Sequence, residues 1–170
     1  MTEEERTLVD FHSVDEGKRW VAVNDGVMGG VSSGGFVVAE SIGVFTGRVS
    51  LENNGGFASV RRRSQDYAME GATGFLIRVK GDGKVYRFRV KTDDAFDGVF
   101  YQSAFETRDG EWTEHRLAFS EFHASFRGRT LDAPPIDPRR IRQIGFLIAE
   151  KQEGTFRLQV DWIKAIIAIE

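Results

Sequence analysis

The sequence predicts an all-β protein, a two-sheet antiparallel β-sandwich of the jelly-roll type. Three observations predict it. Apolar and polar residues alternate with a period of two through much of the chain, which marks strands with one buried face. The 170 residues include 19 Gly and 14 Phe but only 3 Pro, a composition that suits strands joined by tight turns. No segment couples a strand to a long helix, as a parallel α/β sheet requires. The length, with no repeat and no linker, predicts a single domain over residues 1–170. A chain of this size buries roughly 70% of its unfolded surface and needs no covalent staple.

The elements follow in order. Residues 7–11 and 35–39 are weak strand candidates, and residues 12–22 have room for a short helix. Strands at 44–51 and 57–62 flank Asn53-Asn54-Gly55-Gly56, a hairpin signal. Phe75, Ile77 and Val79 alternate with polar or exposed partners. Gly81-Asp82-Gly83 then signals a turn, and Tyr86, Phe88 and Val90 alternate in their turn. The pair is predicted to be one antiparallel hairpin. Val99, Tyr101, Ser103 and Phe105 share a face of the next strand, followed after Asp109-Gly110 by a strand at 112–119. Residues 120–122 suit one helical turn, and 124–138 is the longest irregular stretch. Asp137-Pro138 reads as a capped turn with Pro in its first position. Ile144, Phe146 and Ile148 form one face of a strand; Phe156, Leu158, Val160 and Trp162 form one face of the last.

Composition excludes several functions. There is no Cys, hence no disulfide, thiol nucleophile, Fe–S cluster or Cys-ligated zinc. No apolar run reaches the roughly 18 residues of a membrane helix, so no membrane insertion is expected. The formal net charge of −3 argues against nucleic acid as a partner. The acidic run Glu3-Glu4-Glu5 resembles neither a secretory nor a mitochondrial leader, so the chain is expected to be cytoplasmic or already processed.

Candidate catalytic motifs fail on context. Gly30-Val31-Ser32-Ser33-Gly34 matches G-x-S-x-G, but a nucleophile elbow joins a strand to a helix, and here strand candidates lie on both sides. Gly29-Gly30 lacks dinucleotide spacing. His12, His115 and His123 are scattered, without metal-ligand spacing. The run from Asp93 to Gly98 resembles the start of a calcium loop, but position 12 is Ala104 instead of glutamate, which leaves a polar hairpin loop. No enzyme, metal or cofactor is expected.

Two segments remain, Trp20 to Ser32 and Glu52 to Arg61. Asn, Asp and Gly build elaborate turns by themselves, since Asn and Asp bond nearby backbone and Gly adopts positive φ freely. Alternatively, Asn24, Asp25, Asn54 and Arg61 present polar groups at a loop-built binding site beside Met28 and Phe57. The patterns W-x-x-x-N-D-G-V-M-G-G-x-S and F-x-G-x-V-S-L-E-N-N-G-G-F-A-S-V-R closely resemble the thirty-kilodalton complex I intermediate-associated protein family. Gly81-Asp82-Gly83, Arg127-Gly128-Arg129 and Ile144-Gly145-Phe146 resemble it too, and the likeness runs over about residues 8–163. The resemblance implies a galactose-binding-like β-sandwich. It also implies a non-catalytic, chaperone-like protein partner role with respiratory-complex subunits. Lacking a transit peptide, the chain is expected to be a short bacterial-type member.

Two further pieces are similar to carbohydrate-binding jelly rolls. One is Trp112 to Phe122, with Ala118 in place of the usual Pro; the other is Val160-Asp161-Trp162-Ile163. The alternative function is therefore a glycan- or small-ligand-binding module. Trp20, Trp112 and Trp162 each suit a core role, which leaves few aromatic platforms for sugars. Asp161 and Asp10 could contribute to a structural calcium, but two carboxylates do not fill its shell of about 6–8 oxygens.

Charge patterning adds a last candidate. Arg78, Lys80, Arg87, Arg89 and Lys91 occupy the polar phase of the predicted hairpin, with Arg157 in the matching phase of the last strand. This is either a solvated face interleaved with Glu106 and Glu114, or a surface for an acidic partner, with Arg87 and Arg89 as binding residues. The phase of Arg61, Arg62 and Arg63 is ambiguous.

Overall fold

The computed structural model describes residues 2–24, 30, 32–52, 56–127 and 129–169. They form two antiparallel sheets packed face to face. The strands are β1 (Thr2–Asp10), β2 (Trp20–Ala22), β3 (Ser33–Ala39), β4 (Ile42–Val49), β5 (Ala58–Arg62), β6 (Ala72–Lys80) and β7 (Val85–Lys91). They continue with β8 (Phe100–Glu106), β9 (Trp112–Ala118), β10 (His123–Phe126), β11 (Arg129–Leu131), β12 (Gln143–Ile148) and β13 (Gly154–Ile169). A 3-10 turn at Val14–Arg19 is capped by Ser13, and one at Pro138–Arg140 by Asp137. No helix among the described residues is long and apolar enough to cross a membrane.

The six-stranded sheet runs β3-β4-β13-β6-β9, with β1 also on β13. β13 is 16 residues long. Along one side it pairs with β6; along the other it pairs with β4 up to Val160 and with β1 from Trp162 onward. The seven-stranded sheet runs β11-β10-β8-β7-β12-β5-β2.

Alternation explains the core. Phe75, Ile77 and Val79 of β6 and Phe156, Leu158 and Val160 of β13 point inward from the first sheet. Tyr86, Phe88 and Val90 of β7 and Ile144, Phe146 and Ile148 of β12 meet them from the second. Aromatic rings pack edge-on between and within the layers: Phe75 lies 4.8 Å from Phe88 across the core, while Phe88 lies 5.3 Å from Phe146 and Phe45 lies 4.8 Å from Phe156 inside their own sheets. Trp20 is buried and stacks on Phe36 at 4.4 Å.

The connections depart from the sequence expectation. Gly81-Asp82-Gly83 does not close a hairpin: β6 belongs to the six-stranded sheet and β7 to the seven-stranded one. The turn instead bridges the sheets, with Asp82 accepting from the Tyr86 hydroxyl at 3.0 Å and from the Arg157 amide at 2.8 Å. The segment around Asn53 likewise separates β4 and β5, which lie in different sheets. Arg78 and Lys80 therefore face away from the opposite side of the sandwich to Arg87, Arg89 and Lys91. The predicted single basic face does not exist.

Three smaller departures have local causes. A bulge between Val160 and Trp162 shifts the phase of β13, so Ile163 and Ala165 are buried and Trp162 turns outward. Trp162 and Trp112 are half-buried outside the core, and the core role holds for Trp20 only. The acidic N-terminal run is part of β1, where Glu3 pairs with Arg116 and Glu5 with Lys164. The stretch 124–138 contains the β10–β11 hairpin, with Arg127 at its turn in a left-handed conformation (φ 50°).

Phe88→Ala should cost about 3–5 kcal/mol in chemical denaturation, since it removes a fully buried ring with three aromatic neighbours. Arg157→Ala, at an exposed outer position, should stay within about 0.5 kcal/mol. Equal losses would show that the inner and outer phases are misassigned.

Candidate binding face

The outer face of the seven-stranded sheet carries the unusual chemistry. Pairing through β12 sets Arg61, Gly145, Arg89, Gln102 and His123 side by side on neighbouring strands. Only glycine fits in the middle of this row. A Cβ on residue 145 would lie 2.2 Å from the carbonyl oxygen of Val60. The missing side chain lets the β5 backbone approach closely between the two arginines.

Phe100 of β8 floors the next row. The Arg89 guanidinium carbon sits 3.7 Å from its ring centre and that of Arg61 4.7 Å. Arg61 also lies 4.9 Å from the ring of Phe96 and donates to the Phe96 carbonyl at 2.5 Å. A cavity of about 10 Å³ remains, lined by Ser59, Arg61, Arg89, Phe100, Gln143 and Gly145.

The loop 92–99 folds over this face and is latched by its acidic residues. Lys91, fully buried on the outward phase, donates to Asp93 at 2.6 Å. Arg142 donates to Asp94 at 2.7 Å, Ser64 also donates to Asp94, and Arg127 donates to Asp97 at 2.7 Å. Gln143 donates to the carbonyls of Asp93 and Ala95 at 2.9 and 3.0 Å. The Lys91 hydrogen bond holds Asp93 below the usual carboxylate range. Ser64 and then Arg142 do the same for Asp94, and Arg127 for Asp97.

Arg61 and Arg89 stand apart from these pairs. Among the described residues neither has a carboxylate within ion-pair distance, and the Arg89 Nε is buried without an acceptor. Burial, then the neighbouring charges of Arg61 and Arg87, push Arg89 down to about 9. Burial also lowers Arg61, against the opposing pull of Asp97. Guanidinium does not surrender its proton in practice, so the lowered value expresses a cation whose environment lacks an anion.

The other candidates from the sequence fall elsewhere. Asn24 braces the two sheets: its Nδ2 donates to the Gly34 carbonyl at 3.2 Å, and its Oδ1 accepts from the Ser59 amide at 3.3 Å. Ser59 in turn donates to the Val23 carbonyl. Phe57 is half-buried just before β5. Arg87 donates through Nε to Glu150 at 3.1 Å. Asp25, Met28 and Asn54 lie outside the described residues. The structure thus brings Arg61 and Arg89 together, with Arg87 one row away.

Sequence reading missed Arg62, which points inward. It is buried and bonded to Glu16 at 2.8 and 3.0 Å, to Gln65 at 2.6 Å and to the Tyr67 hydroxyl at 3.0 Å. Burial opposes its charge, but the Glu16 and Tyr67 contacts outweigh that, and its pKa rises. This network closes one end of the sandwich, with Trp20 Nε1 also donating to Glu16 at 2.9 Å. Ser32 Oγ accepts from the Ser50 amide at 2.8 Å and donates to the Ser50 carbonyl at 3.1 Å. Asp161 pairs with Arg78 at 3.2 Å, and Asp10 accepts from the His12 amide at 3.3 Å. No group of three or more metal-ligating side chains occurs among the described residues.

The family model described as Complex I intermediate-associated protein 30 (CIA30) matches residues 9–160. The chain belongs to the CIA30 family. Similar curated relatives are the mitochondrial Complex I intermediate-associated protein 30 of Drosophila melanogaster, 27% identical over 92% of this chain, and that of Mus musculus, 26% identical over 95%. The chain spans 61% and 56% of the length of those two proteins. Among solved structures it is similar to the family 11 carbohydrate-binding module of the Clostridium thermocellum cellulase Lic26A-Cel5E. The TM-score is 0.70 with 20% identity, covering 98% of this chain and 96% of that one. This CIA30 chain therefore has the galactose-binding-like sandwich that the resemblance implied.

Asn24→Ala should cost about 1–3 kcal/mol in denaturant, because it strands the Ser59 amide and the Gly34 carbonyl between the sheets. A neutral change would remove the bracing role.

The latch should also be acid-labile. Asp93, Asp94 and Asp97 have lowered folded-state values, so their stabilisation is complete above the ordinary carboxylate value of about 4 and is lost as pH falls through the folded values. The amides of Ala95 and Gly98, which donate to Asp93 and Asp97, should titrate by NMR with midpoints below about 4. Midpoints at or above that value would show the latch to be absent in solution.

Proposed function

We propose that the chain is a non-catalytic binding protein that holds a protein partner, in the manner of an assembly factor for a respiratory complex. The single observation that carries this reading is the family match over residues 9–160. It draws on the relatives' names, which associate those proteins with an intermediate of complex I and place them in mitochondria. Site chemistry supports it. Ser32, centre of the one hydrolase-like motif, spends its hydroxyl on the Ser50 backbone. The proposed compartment is the cytoplasm.

The carbohydrate-binding alternative rests on the fold shared with the Clostridium module. Geometry weakens it. The half-buried Trp rings on the opposite outer face are covered by cations, Trp112 by Arg78 at 5.4 Å and Lys80 at 5.8 Å, and Trp162 by Lys164 at 4.1 Å.

Tagged full-length chain should enrich respiratory-complex subunits from a native lysate in quantitative mass spectrometry and give no hits on a glycan array. Clear glycan hits without subunit enrichment would reverse the two readings. Ser32→Ala should leave any esterase background unchanged; a fall of about a hundredfold, the size of effect expected for a catalytic group, would overturn the non-catalytic assignment.

A further inference from the structure

We propose that Arg61 and Arg89, with Gly145 as floor and Phe100 as wall, form a socket for a single carboxylate carried by a protein partner. The inference rests on the protein-binding reading above and names the chemistry of its contact point.

Three observations lead to it. The first is charge. Lys91, Arg87, Arg127 and Arg142 each have a carboxylate, whereas among the described residues Arg61 and Arg89 have none. Two guanidinium groups lean over one phenyl ring. The second is an unmet donor: the Arg89 Nε is shut off from solvent and bonded to nothing. A buried donor of this kind costs free energy until an acceptor arrives. The third is size. The pit beside Gly145 holds about 10 Å³, room for about one oxygen atom at the tip of an acidic side chain. A carboxylate that enters relieves the charge repulsion and offsets the cost of burying the guanidinium groups.

Planar guanidinium favours a planar carboxylate, which it can meet through two parallel N–H bonds. The Phe96 carbonyl already occupies one Arg61 N–H, so an incoming carboxylate competes with the loop 92–99 for that donor. The contact would couple partner capture to a small movement of the latched loop.

The test uses the full chain labelled with 15N, following the arginine Nε–Hε resonances. The probes are N-acetyl-aspartyl amide, its asparagine counterpart and inorganic phosphate, all at one ionic strength. A saturable shift at Arg89 with the aspartyl probe alone is the expected result. Arg61→Gln should weaken it about tenfold or more, as loss of a charged hydrogen-bond partner does. Arg61→Lys, which keeps the charge but loses the fork, should fall between. Thermal melts of both variants confirm folding; should Arg61→Gln not fold, Arg61→Lys alone decides. No saturation, an equal shift with the asparagine probe, or tighter binding of phosphate would overturn the socket.

A second arm separates this idea from the reading it rests on. Arg61→Gln with Arg89→Gln should lower the capture of respiratory-complex subunits at low salt. Undiminished capture by the double variant would sink the socket and leave the assembly reading standing. A wild-type chain that binds the aspartyl probe but enriches no such subunits would keep the socket and sink the assembly reading.

Discussion

Strand β13 is the constraint on which the six-stranded sheet depends. Of its 16 residues, those from Gln159 to Ile167 pair with β6 along one edge, while β4 and then β1 line the other edge. A strand bonded on both edges cannot slip by one residue without turning its apolar set to solvent. The bulge at Asp161 is therefore essential to the sheet. It lets Phe156, Leu158 and Val160 face inward before it, and Ile163 and Ala165 after it. Phe156 meets Tyr86 across the core, which helps fix the phase of β7. The outward direction of Arg87, Arg89 and Lys91 is thus settled by packing on the far side of the sheet. The functional face follows from the core.

Much of this was legible in the sequence, and the limits have a physical cause. Period-two alternation found the strands and their buried residues, because burial acts on each residue where it stands. It did not find the partners. Gly81-Asp82-Gly83 marks a reversal of the chain, but a reversal can close a hairpin or cross between sheets. Only pairing with β13 and β12, remote in sequence, decides which. The same limit hid the face around Arg89. The outward phase of Arg89 and Lys91 was readable, yet Lys91 is fully buried because the loop 92–99 lies over it. That fold-over is held by Gln143, Arg142, Arg127 and Ser64, none of them close in sequence. Arg62 shows the limit in reverse: its neighbours gave no phase, and pairing with Glu16 draws it inside. Asn24, singled out for its chemistry, is spent on joining Gly34 to Ser59.

Both outer faces of the sandwich pair several of their cations with carboxylates. On the six-stranded sheet, Arg78 meets both Glu114 and Asp161, Arg116 meets Glu3, and Lys164 meets Glu5. Exposed pairs of this kind contribute little to stability and mainly keep a polar surface neutral. Around the seven-stranded face Arg87, Lys91, Arg127 and Arg142 have carboxylates, whereas among the described residues Arg61 and Arg89 have none. Stability gives no reason for that pattern. Aliphatic side chains of similar volume over Phe100 would avoid both the desolvation of a guanidinium and the repulsion between two of them. Local rules broken without a stabilising return are expected where a surface is kept ready for a ligand. The row Arg61-Gly145-Arg89 fits that description in each part. The glycine lets β5 approach closely, the ring positions the two forks, and the acid latch pairs with Lys91, Arg127 and Arg142, which leaves Arg61 and Arg89 without a carboxylate among the described residues.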